Sequence, residues 1–95
     1  MINIGKIYYP KRTLGYLGAE YDSSIPIKKH SLLLVIWKEE NNEYDVFEAI
    51  ELSSIQIVTC AFKKHKIQKY LKKHEHRSRN VFYSAARFIT DIIFC

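Results

Sequence analysis

The first sixty residues carry apolar runs of strand length, separated by polar stretches of turn composition. Residues 2–9 alternate around Ile2, Ile4 and Ile7, which predicts a first strand that Pro10 ends. Residues 11–29 carry Gly15, Gly18, Asp22, two serines and Pro26, a long connection that reads as a functional loop or conceals a short helix. Residues 30–38 (HSLLLVIWK) are nearly continuously apolar, as in a central strand covered on both faces. Residues 39–43 (EENNE) form a polar turn, residues 44–50 return as a hairpin partner, and residues 55–62 predict a further strand.

Beyond residue 63 the period changes. Ile67, Tyr70, Leu71 and His74 recur at i, i+3, i+4 and i+7, one face of a helix, with lysines at most of the intervening positions. After a polar break at 75–79, Asn80 can cap a last helix whose apolar stripe is Ala85, Phe88, Ile89, Ile92 and Ile93. Strands first and helices last predict an α+β fold. The expected layout is a mainly antiparallel sheet of about four strands, with one or two C-terminal helices packed on it.

Ninety-five residues at 47% hydrophobic composition support one domain, 1–95, with a β-rich part over 1–62 and a helical part over 63–95. Seven Tyr, five Phe and one Trp supply much of its core. The net charge of +5 is unevenly spread: residues 1–55 carry six basic and eight acidic side chains, residues 56–95 nine basic and two acidic. Such polarity suits an anionic partner for the back half, or an acidic hairpin of one copy meeting the basic helix of another; the plainer alternative is a solubilising surface. No apolar run resembles a signal peptide or a membrane span, so the expected setting is cytoplasmic, without a membrane partner and with Cys60 and Cys95 as free thiols.

The stretch 30–49 (HSLLLVIWKEENNEYDVFEA) opens a strand on a histidine and closes the return strand on a Glu-Ala pair. In this it resembles the circularly permuted papain-like hydrolases of the YiiX type, relatives of the NlpC-type peptidases. The resemblance implies His30 as general base and Glu48 as its polar partner. It also implies a nucleophile in the first turn of the last helix, where a helix N-terminus and an imidazole activate a thiol. Residues 83–93 have the shape of that helix, yet the nucleophile position falls on Ser84 or Ala85 and holds no cysteine. A serine hydroxyl is far less nucleophilic than a thiolate. The implied role is therefore a degenerate domain that binds or inhibits rather than hydrolyses, and the small size and Lys/Ile/Tyr-rich composition suggest a phage or mobile-element origin. Taken singly, His30 also reads as a strand-edge histidine, Glu48 as a solvent-facing residue and Ser84 as a small helix residue.

Two other chemistries have residues of the right type in the chain. Cys60, His65, His74 and His76 are ligand types, but their spacing matches no zinc pattern, and neither metal nor cofactor is expected. The run Lys63, Lys64, Lys66, Lys69, Lys72 and Lys73, continued by Arg77 and Arg79, reads as a basic stripe. It would neutralise phosphates of a nucleic acid or contact an acidic host protein.

Overall fold

The computed structural model describes residues 2–74. Strands β1 (Ile7–Pro10), β2 (Tyr21–Ser23), β3 (Leu33–Glu40), β4 (Tyr44–Glu51) and β5 (Gln56–Lys63) are followed by the single-turn helix α1 (Ile67–Tyr70) and strand β6 (Leu71–Lys73). One antiparallel sheet in the order β2-β5-β4-β3-β1-β6 curls into a half-barrel. The β3–β4–β5 meander is the spine. Asn41 makes its first turn, its Oδ1 accepting from the backbone N–H groups of Glu43 (2.8 Å) and Tyr44 (2.7 Å). At its second turn the Glu51 carboxylate accepts from the N–H and hydroxyl groups of Ser53 and Ser54. A register shift between Val35 and Trp37 helps bend β3.

The concave face holds the main core. Leu33 and Val35 of β3, Phe47 and Ala49 of β4, and Val58, Cys60 and Phe62 of β5 alternate into it. An aromatic ladder closes one end: Phe47 stacks on Phe62 at 6.1 Å, Phe62 meets Tyr70 at 5.7 Å, and Tyr70 meets Tyr21 edge-on at 5.1 Å. The opposite face carries a smaller cluster of Ile7, Leu34 and Ile50.

The expected α+β fold is overturned among the described residues. They form six strands rather than about four, and their helix is four residues long. The spacing of Ile67, Tyr70 and Leu71 does bury all three, but only one turn is helical. At Leu71 the backbone becomes extended (φ −118, ψ 143) and pairs with Pro10, so β6 takes up the open edge of β1. An unpaired edge leaves backbone donors and acceptors unsatisfied. Three residue pairs between β1 and β6 meet that demand, which a continued helix over 67–74 would leave unmet. The basic part of the chain therefore begins as the end of the sheet. The predicted helix over 83–93 and its cap at Asn80 lie outside the described residues. The 11–29 connection holds a bridged hairpin (Leu14 with Ile27, Leu17 with Asp22) that delivers β2 to the edge of β5. None of the described helices is long and apolar enough to cross a membrane.

Candidate functional site

His30 stands just before β3 in the left-handed region (φ 67). Its backbone N–H donates to the Pro10 carbonyl (3.2 Å), and the preceding Lys29 N–H donates to Thr13 Oγ1 (3.3 Å). These bonds lay Lys28, Lys29 and His30, all exposed, along the end of β1. On that strand Ile7 and Tyr9 share the convex face while Tyr8 and Pro10 turn inward. The His30 ring lies 5.7 Å from the Tyr9 ring. The His74 ring approaches the same tyrosine edge-on at 6.4 Å. His74 is fixed by its N–H bond to the Ile7 carbonyl (2.8 Å), one step beyond β6. Lys72 pairs directly with Tyr9, and Lys73 with Tyr8. Tyr9 is thus flanked by two imidazoles at an edge that also carries Lys28, Lys29, Lys72 and Lys73.

The lysines of the predicted basic stripe fall into two sets. Lys64 bridges Glu40 (2.8 Å) and Asp45 (3.0 Å), and Glu20 collects Lys69 (2.7 Å) and Lys66 (3.5 Å). The Lys69 and Tyr70 hydrogen bonds, with the charges of Lys69 and Lys66, outweigh burial and bring the Glu20 carboxyl down to about 2. The hydrogen bonds that Lys64 donates to Glu40 and Asp45 likewise hold it above its ordinary value. Much of the charge division along the sequence is therefore closed within one molecule. Lys28, Lys29, Lys72 and Lys73 have no carboxylate within ion-pair distance among the described residues. Lys63 is exposed at the other end of the sheet, opposite Tyr44, and Arg77 and Arg79 lie outside the described residues.

The residues implied by the papain-like resemblance are not gathered in the described part. Glu48 lies on the convex face between Trp37 and Thr59. His30 precedes Leu33, the partner of Glu51, so about 10 Å of strand separates the two rows before the loop to His30 is counted. No hydrogen bond or ring contact joins His30 to Glu48. Ser84 and Ala85 lie outside the described residues. The Cys60 thiol faces the core, where burial and the charge of Asp22 push it up to about 12 and disfavour the thiolate.

Tyr9, Lys28 and Lys29 are not among the candidate site residues that the sequence offers, and His74 figures there as a member of a helical face and as a ligand type. Tyr9 belongs to an alternating strand pattern that marks it as core or surface without saying what flanks it. His30 and His74 are far apart in the chain and converge through β pairing alone. Comparison with family models, curated proteins and solved structures returned no match.

Proposed function

We propose that this protein binds single-stranded nucleic acid along the edge built by β1, β6 and the 28–30 segment. The observation that carries this is the Tyr9 ring set between His30 and His74, beside Lys28, Lys29 and Lys72, which no described carboxylate neutralises. Lysines of that kind take up backbone phosphates, and a half-buried tyrosine offers a face on which a base stacks. Single strands suit the arrangement because an unpaired base is free to reach a ring, whereas a duplex presents its bases only edge-on. An acidic partner protein would use the lysines but not the ring.

The test is fluorescence anisotropy with a labelled single-stranded oligonucleotide across a salt series. Three phosphate contacts predict a slope of log affinity against log salt of about −2. Tyr9→Ala lowers affinity by about tenfold or more at every salt, the size of one lost stacking contact. Salt-insensitive binding, or affinity unchanged in Tyr9→Ala, contradicts the proposal.

A further inference from the structure

At the other end of the strands the half-barrel opens on a cavity of about 320 Å³. Its apolar wall is Ile2, Phe47 and Ile67, all buried, and its mouth is charged with both signs. β pairing sets the pattern. Lys38 stands opposite Phe47, and Glu40 stands opposite Asp45, two residues further along both strands. Residues two apart on a strand share a face, their backbones about 7 Å apart, so Lys38, Glu40 and Asp45 line one wall of the cavity.

Neither charge is fully spent. Lys38 Nζ donates to the Ile2 carbonyl at 3.1 Å and meets no carboxylate among the described residues, so it keeps further donors. Glu40 and Asp45 each give one oxygen, Oε2 and Oδ1, to Lys64, which leaves Oε1 and Oδ2 without a bond to it. Lys64, shared between the two carboxylates, leaves the pair one negative charge, so the mouth offers Lys38 to an anion, Glu40 and Asp45 to a cation, and Phe47 to an apolar body. An anionic ligand alone would face the carboxylates, and a cationic one alone would face Lys38. The volume falls in the range of small-molecule sites, and the mouth of a β-barrel is a usual place for one.

We infer that the cavity binds a free α-amino acid with an apolar side chain. Its carboxylate accepts from Lys38, its ammonium donates to Glu40 and Asp45, and its side chain enters between Phe47, Ile2 and Ile67.

The inference is tested by titrating the full chain with L-leucine, isocaproate and isoamylamine while following amide chemical shifts. Leucine is expected to give saturable shifts at Lys38, Phe47 and Ile67. The two analogues, each lacking one charged group, bind at least about tenfold more weakly, as does leucine to Lys38→Met. Lys38→Met is expected to keep the wild-type amide spectrum away from the cavity, which separates lost binding from lost folding. Either analogue matching leucine overturns the inference, as does the absence of shifts at millimolar leucine. The result is independent of the Tyr9 edge, which lies at the opposite end of β3.

Discussion

Tyr9 gains its position from its neighbours more than from its own type. It alternates outward from a strand whose inward residues, Tyr8 and Pro10, are buried, and two histidines from remote parts of the chain hold its ring. Glycine 18 is equally local and more absolute. A Cβ there would come within 2.2 Å of the Tyr21 ring, which is itself wedged against Phe62 and Tyr70. Gly18→Ala is expected to destabilise by about 1–3 kcal/mol, the usual cost of overpacking, and a lowered urea midpoint at unchanged slope would show it. Glu20 sets a pH dependence. Its carboxyl falls from 4.5 to about 2 in the folded chain, so its contribution is complete above the unfolded value and is lost as pH drops through the folded one. Glu20→Gln therefore flattens the decline in stability between pH 4.5 and 2, measured by urea unfolding at stepped pH. A parallel decline in both proteins would show that the Lys69 and Tyr70 contacts do not couple to folding.

The elements differ in how plainly the sequence announces them. The β3–β4 hairpin is legible because its two apolar runs flank a turn rich in Asn and Glu, and the third strand of the meander follows the same rule. The β2 hairpin is hidden because β2 is only three residues long and pairs with β5, some forty positions away. Strand β6 is disguised by periodicity: Ile67, Tyr70 and Leu71 satisfy a helical face, yet the fate of residues 71–73 is decided by the free edge of β1. Local pattern cannot report a vacancy created by a strand sixty residues earlier. The distinction is measurable by amide exchange. His74 donates to Ile7 and Lys11 donates to the Tyr70 carbonyl, so both amides are expected to be protected. Nuclear Overhauser contacts between the Lys72 and Tyr9 backbones should accompany that protection, whereas helical sequential contacts through residues 70–74 would contradict the strand.

Across the whole molecule the acids and bases sort by position in the fold, not by position in the sequence. Glu39, Glu40, Glu43 and Asp45 gather at the β3–β4 tip, and Lys28, Lys29, Lys72 and Lys73 gather at the opposite end of β3, about 23 Å away over seven residues. The sequence shows the excess of lysine after residue 63, but not that Lys64, Lys66 and Lys69 are paired with carboxylates of the front half. Surface pairs of this kind add little stability, so their main effect here is to remove three cations from the set open to a partner. Lys64→Met is accordingly expected to leave oligonucleotide affinity within about twofold, while Lys72→Met lowers it and reduces the salt slope by about 0.7. The most direct measurement is the footprint of a short single-stranded oligonucleotide on the amide spectrum of the chain. Binding as proposed perturbs Tyr9, Lys28, Lys29, His30, Lys72 and His74 and leaves the 39–45 tip silent. Perturbations centred on Lys64, Lys66 and Lys69, or a spectrum that does not change, would contradict it.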